Sequence, residues 1–235
     1  MPRLISIIIP TFNEENYLGK LGRNLEALQT EYPFEIIVSD GGSSDRTVEI
    51  AARFARVVHA PKGRAWQLNE AAKTARGDVL FFAHAHMTLP RGTLTSIRTT
   101  IDHESYQGGG FSNEFTSHNR KIKRLGRLLN CRIFENDHSQ NTRFYGDNGI
   151  FVRKDIFAAL GGFKLIPIME DYDFSRRLRD RFSVARISTP RIQLSPRRHV
   201  QAGFWKTRFL WVAIKQLYRC GVPPAFLVKF YPSTR

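Results

Sequence analysis

The chain has 235 residues, of which 42% are hydrophobic and 24% charged, the proportions of a globular protein long enough to bury a sizeable core. Its 36 Lys and Arg against 21 Asp and Glu leave a net charge of +15, which favours anionic partners such as nucleotides, phosphates or a membrane surface. Two cysteines, Cys131 and Cys220, exclude a disulfide framework and read as reduced structural thiols; no apolar run reaches the ~20 residues that span a bilayer, and the Met1 to Leu4 start lacks the apolar core of a signal peptide.

Ile5 to Ile9 is β-branched and nearly all apolar, which predicts a strand buried on both faces and ended by Pro10. Leu18, Leu21, Leu25 and Leu28 predict a helix starting near Asn16. Glu35 to Ser39 is a second strand. It stops at Asp40, turns through Gly41 and Gly42, and restarts as a helix capped by Ser44 or Asp45 that buries Val48, Ala51, Ala52 and Phe54. Val57 to His59 is a third strand, Gly63 to Ala75 an Ala-rich helix, and Asp78 to Ala83 a fourth strand. Strands alternating with helices predict right-handed crossovers and an α/β fold with a doubly wound, mostly parallel sheet.

Beyond residue 90 the pattern loosens. Gly108 to Phe111 suggests a strand approached closely by another backbone or a ligand. Asn119 to Phe134 reads as an amphipathic helix with Ile122, Leu125, Leu128, Leu129 and Ile133 inward, and it carries a basic cluster from Arg120 to Arg132. Gly149 to Val152 is another strand, and Glu170 to Arg181 a helix opening on Glu170, Asp171 and Asp173. From Arg181 onward there are eleven Lys or Arg and no acid, with Phe204, Trp205, Phe209, Leu210, Trp211, Ile214 and Leu217 interspersed. Such a tail suits either an anionic membrane interface or a helix that packs its aromatic side on the core.

Ligands of open α/β sheets bind beyond the carboxyl ends of the strands, where helix N-termini offer unpaired N–H groups. Asp40 stands at such an end, either meeting a ligand or capping its own turn. Glu14 is either part of the same pocket or a first-turn acid that complements a helix dipole. Arg64 either meets phosphate or lies on the solvated surface.

Four segments taken in order resemble glycosyltransferase family 2: ISIIIPTFNEE from Ile5, VSDGGSSDRT from Val38, RGDVLFFAHAHMTLP from Arg76, and EDYD from Glu170. The similarity runs to about residue 190. The segments GDNGIF from Gly146, LGGF from Leu160 and LYRCGV from Leu217 are similar to a bacterial-type subgroup often labelled arsenosugar biosynthesis glycosyltransferases. The resemblance implies a GT-A fold over residues 1–195, with a nucleotide-binding half at 1–90, an acceptor half with a mixed sheet at 91–195, and a basic aromatic helical extension at 196–235. It implies transfer of a sugar, with inversion, from a nucleotide diphosphate to a hydroxyl acceptor that is either small or lipid-linked. Pro10, Thr11, Glu14, Asp40, Gly63, Arg64 and His84 would hold the donor. Asp171 would be the general base with Glu170 beside it, and Gly109, Gly110, Asp147 and Asn148 would line the acceptor side.

The resemblance also implies a divalent metal, manganese or magnesium, held by the last Asp of an acidic motif after the fourth strand. This chain reads His84-Ala85-His86 there. Residues two apart in an extended segment share a face, so both rings would point to the site. Imidazole suits magnesium poorly. His86 therefore ligates a softer metal, or the enzyme works without one, or catalysis is impaired and the chain only binds nucleotide sugar, or His86 is merely a polar loop residue. A nucleic-acid-binding module lacks any supporting motif, and a sugar nucleotidyltransferase would want a Gly-rich loop where Pro10 to Glu14 stands. The expected location is the cytoplasm or the inner face of a membrane, in peripheral contact with anionic lipid.

Overall fold

The computed structural model describes residues 4–29, 32–102, 106–116, 144, 146–195 and 203–231. The isoleucine run at its start forms β1 (Ile5–Thr11), buried along its whole length, followed by α1 (Glu15–Glu26), β2 (Phe34–Asp40), α2 (Thr47–Ala51), β3 (Arg56–His59), α3 (Arg64–Thr74) and β4 (Val79–Phe82). These four strands are parallel, with β1 between β2 and β4. Pro10 does not end β1. It pairs in register with Ser39, beyond the point where β4 stops pairing, so its missing N–H leaves no gap on that side.

The second half adds β5 (Met87–Thr88), α4 (Thr93–Asp102), β6 (Gly108–Phe115), a 3₁₀ turn at Gly146–Asn148, β7 (Ile150–Arg153), α5 (Lys154–Ala159), α6 (Glu170–Arg181) and β8 (Val184–Leu194). One mixed sheet results, in the order β3-β2-β1-β4-β7-β6-β8-β5. β7 runs antiparallel to β4 and β6, so its entrance lies on the edge where β1, β2 and β4 end. The helix expected at Asn119–Phe134, its basic cluster and Cys131 lie outside the described residues.

Alternation along the strands splits the core between the two faces of the sheet. Ile5, Ile7, Ile9 and Phe81 face Leu18, Leu21 and Leu25 of α1 and Leu94, Ile97 and Ile101 of α4. Ile8, Ile37, Leu80 and Phe82 face Leu68, Ala71 and Ala72 of α3 and Phe174 and Leu178 of α6. α2 is shorter than expected and buries Thr47 and Ala51, while Ala52, past its end, is exposed.

Two of the elements that pattern reading missed are α4 and β8. α4 is rich in threonine, a poor helix former, and is held by its buried apolar residues. β8 contains Pro190, which argues against a strand interior. The ladder steps from Phe111–Ile187 to Asn113–Ile192, so residues 188–191 face Ser112 alone and Pro190 stands outside the regular pairing.

The chain closes with α7 (Phe204–Arg219), α8 (Pro224–Leu227) and a 3₁₀ turn at Val228–Phe230. Ile214 and Leu227 share a small third core with Ile168, Met169 and Tyr172, supported by Leu210 and Trp211. α7 therefore has two faces: Leu210, Trp211, Ile214 and Tyr218 pack inward, while Trp205, Phe209 and Val212 point out and are 40–69% exposed. Cys220 is an exposed free thiol rather than a buried structural one. Among the described residues no helix is long and apolar enough to cross a membrane.

Candidate active site at the strand ends

Asp40 closes β2 and is 2% exposed. Its Oδ2 accepts from the N–H groups of Gly42 (2.9 Å) and Ser43 (2.8 Å), and its Oδ1 from the hydroxyls of Ser43 (2.5 Å) and Thr11 (3.2 Å). Four donors fill the four lone-pair directions of a carboxylate. Asp40 thus caps its own turn, and a ligand hydroxyl reaching it takes the place of Ser43 or Thr11. The N-cap of α2 is Arg46 rather than Ser44 or Asp45; Asp45, one residue earlier, accepts at Oδ1 from Thr47 N–H at 3.0 Å. The loop after β1 is laced to the loop after β2: Asn13 Oδ1 accepts from Ser44 N–H at 2.9 Å, and Glu14 N–H donates to the Thr47 hydroxyl at 2.8 Å.

The first turn of α3 joins this half of the edge to the other. Gln67, missed by the sequence reading, donates from Nε2 to the carbonyls of Thr11 (2.5 Å) and Ser39 (2.9 Å), clamping the ends of β1 and β2. Arg64, one turn earlier on the same helix face, donates from Nε to Glu170 at the start of α6. The Arg64 side chain is 26% exposed and that of Glu170 only 1%. Burial works against the charge on Arg64, but Glu170 and Asp171 outweigh it and hold the guanidinium above its ordinary value. Burial pushes the Glu170 carboxyl up; Arg64 pulls it down, Asp171 adds to the rise, and the net direction is upward.

Asp171 is 6% exposed and accepts at Oδ2 from Gly146 N–H at 2.7 Å. A Cβ on Gly146 would lie 2.4 Å from His84 Nε2 and 3.2 Å from Asp171 Oδ2, so the end of β4 and the start of α6 meet across this bare backbone. His84 and His86 stack nearly parallel, ring centres 5.5 Å apart. They share a side because a turn closed by Met87 N–H to His84 O (3.0 Å) brings them round, not because the segment is extended. His86 Nε2 lies 3.4 Å from Asp147 Oδ1 on the 3₁₀ turn. Asn148 faces inward and donates to Phe111 O at 2.9 Å.

Gly109 and Gly110 do not open onto the acceptor side. A Cβ there would meet Ala185 O at 2.2 Å and the Phe144 ring at 2.5 Å, so both are packing glycines inside the sheet. Asp173, two residues past Asp171, faces a different set of partners: Lys164 (3.0 Å), Arg177 Nε (2.6 Å) and the Tyr218 hydroxyl (3.3 Å). Among the described residues, the non-glycine positions with left-handed backbone are Asn13 (φ 54°) and Met169 (φ 69°), and each directly precedes an acid of this edge, Glu14 or Glu170.

Among the described residues no three His, Cys, Asp or Glu side chains are placed to hold an ion; His86 and Asp147, 3.4 Å apart, are the two donors here that could share one. Gly146→Ala is expected to displace the His84 ring, the movable end of that clash, and, where that ring meets a nucleotide sugar as the resemblance implies, to weaken its binding with little loss of melting temperature. Titration calorimetry and a thermal melt on the same sample check this; unchanged affinity contradicts it.

The mixed sheet with a parallel half, helices on both faces and an acidic edge at the strand ends is a GT-A-like α/β fold. The chain belongs to glycosyl transferase family 2, whose profile matches residues 6–161. It is 34% identical over 96 residues to a dolichyl N-acetyl-alpha-D-glucosaminyl phosphate 3-beta-D-2,3-diacetamido-2,3-dideoxy-beta-D-glucuronosyltransferase of Methanococcus voltae, covering 35% of this chain and 29% of the relative. It is 24% identical over 208 residues to a beta-monoglucosyldiacylglycerol synthase of Trichormus variabilis, covering 80% of this chain and 44% of the relative. The chain thus spans under half the length of these curated relatives. Among solved structures it resembles the mannosyltransferase PcManGT from Pyrobaculum calidifontis in complex with GDP-Man and Mn2+, at 20% identity and a TM-score of 0.66, covering 98% of this chain and 68% of that one. It also resembles TarS from S. aureus, at 20% identity and a TM-score of 0.65, covering 82% and 60%.

Proposed function

We propose that the chain moves a sugar from a nucleotide-diphosphate donor to an acceptor hydroxyl by a single inverting displacement, with Asp171 as general base. The observation that carries this is the meeting of Asp171 and His84 across Gly146, at the edge that Arg64 and Gln67 tie to the ends of β1 and β2. The acceptor oxygen bonds to the anomeric carbon as the carbon–oxygen bond to the diphosphate breaks, and the hydroxyl proton passes to the Asp171 carboxylate. Glu170 and Arg64 orient each other. Arg64 spends Nε on Glu170 and presents its terminal amino groups to the leaving diphosphate, where a guanidinium fork stabilises developing charge. His84 and His86 border the same space as N–H donors, and Asp147 flanks the acceptor side. In the donor complex the ribose displaces one of the hydroxyls that now hold Asp40.

A lipid-borne acceptor is supported by the outward face of α7, where Trp205, Phe209 and Val212 stand in a tail without acids. The names of two curated relatives also include a dolichyl phosphate sugar and a diacylglycerol. The subgroup resemblance through GDNGIF and LYRCGV supports the arsenosugar reading, in which the acceptor is a small molecule.

A panel of nucleoside diphosphates and sugar nucleotides tests donor use, since a ligand that binds only the folded chain raises its melting temperature. No stabilisation by any of them sinks the proposal; stabilisation without transfer to any acceptor supports a catalytically silent relative. The same panel tests the metal. A chelator is expected to leave the wild-type shift unchanged, while His86→Asp, which sets two carboxylates together, gains a manganese-dependent increment. A wild-type shift that collapses in chelator contradicts this.

A further inference from the structure

A groove of about 510 Å³, lined by neither Glu170 nor Asp171, lies between α6 and the end of α7. Tyr172, Arg176, Arg179 and Asp180 of α6 line one wall; Tyr218, Arg219 and the turn into α8 line the other. Its charge is unbalanced. Asp180 is spent on Arg179 at 2.5 Å. The acid nearest Arg176 is Asp173, 4.0 Å away and already held by Lys164 at 3.0 Å and Arg177 at 2.6 Å. Arg219 donates to the neutral Gln216 at 3.3 Å.

We infer that this groove binds a phosphate group, at a site separate from the donor edge. Three guanidinium groups around one hollow repel one another, and a phosphate relieves that repulsion. The planar fork of arginine matches phosphate oxygens in pairs. A neutral sugar would leave the cations uncompensated. The volume admits a phosphate with the organic group that bears it. That group comes from a soluble phosphate ester or from a lipid headgroup. Leu217, Phe226 and Phe230, each 43–53% exposed on the segments bordering the groove, favour the lipid.

The test uses the full chain and the double variant Arg176→Gln/Arg219→Gln, which removes two exposed or half-exposed cations outside the catalytic edge. Arg46→Gln/Arg53→Gln on α2 serves as a control of equal charge. Glycerol 3-phosphate is expected to raise the melting temperature where glycerol does not, with affinity at least tenfold lower in the groove variant and unchanged in the control. If the headgroup is the natural source, phosphatidylglycerol vesicles, and not phosphatidylcholine vesicles, bind the wild type and the control at least tenfold more tightly than the groove variant, and the soluble ester binds weakly by comparison. Equal binding of both probes by wild type and groove variant overturns the site. So does loss of the nucleoside-diphosphate shift in the groove variant, which would assign these arginines to the donor. Absence of that shift in every protein counts against the proposed transfer reaction and leaves the groove result standing.

Discussion

Asp171→Asn is expected to lower turnover by about 10²- to 10⁴-fold, the usual contribution of a general base, while nucleoside-diphosphate binding stays nearly intact. The amide keeps the size and shape of the carboxylate but takes up no proton. Its oxygen can still accept from Gly146 N–H, the bond that Oδ2 now makes at 2.7 Å. The nitrogen then faces Tyr172 N–H, which the other carboxylate oxygen now accepts at 2.6 Å, so a modest stability loss accompanies the kinetic one. Initial rates at saturating donor, beside a binding isotherm for the nucleoside diphosphate, separate the two effects. Turnover near the wild-type level removes Asp171 from the mechanism. Loss of binding in step with turnover makes it a structural residue.

Two positions along the same helix the outcome reverses. Asp173→Asn is expected to cost about 3–5 kcal/mol of stability, the range for breaking a buried ion pair by removing one partner. In a chain of this size that is a fall in melting temperature on the order of 10 °C. Asp173 is 0% exposed, and it ties α6 to Lys164, to Arg177 and through Tyr218 to α7. Arg177 in turn donates to the carbonyls of Leu160 and Gly162, so the loop after α5 depends on the same carboxylate. Burial alone would raise the Asp173 carboxyl, but the hydrogen bonds and charges of Lys164 and Arg177 prevail and hold it below its ordinary value of 3.8. A depressed folded value means that the stabilisation is complete above the unfolded value and is lost as pH falls through the folded one. The gap between wild-type and variant melting temperatures should therefore be constant near neutrality and narrow in acid below about pH 4. A variant that melts with the wild type at neutral pH contradicts the anchor role.

The EDYD segment shows how far pattern reading reaches. It located the helix at Glu170–Arg181, and the resemblance marked its acids, but a sequence does not say which carboxylate faces which neighbour. Side chains two apart on a helix diverge by about 200°, so Asp171 meets Gly146 and His84 while Asp173 meets Lys164 and Tyr218. Arg64 looked like a diphosphate contact or a surface residue, and its partner Glu170, 106 residues away, was not visible locally. Gln67 carried no signal, being one polar residue on an Ala-rich helix. The glycines of β6 read as a close approach of another backbone or a ligand, and the structure shows backbone and ring, Ala185 and Phe144, a distinction that depends on what occupies the missing Cβ. β8 escaped notice because its irregular pairing with β6 accommodates Pro190.

The sequence by itself determined the parallel half of the sheet, the helices between its strands and the family, because buried β-branched runs, period-3.6 leucines and strand-end motifs are local and repeat with fixed spacing. Only the tertiary structure decided the site: which acids share an edge, which arginine meets which carboxylate, which face of α7 is left outward, and that an arginine-lined groove lies between α6 and the end of α7. Those facts depend on side chains far apart in the chain meeting in space. Ion pairs and close backbone approaches arise only where such segments come together.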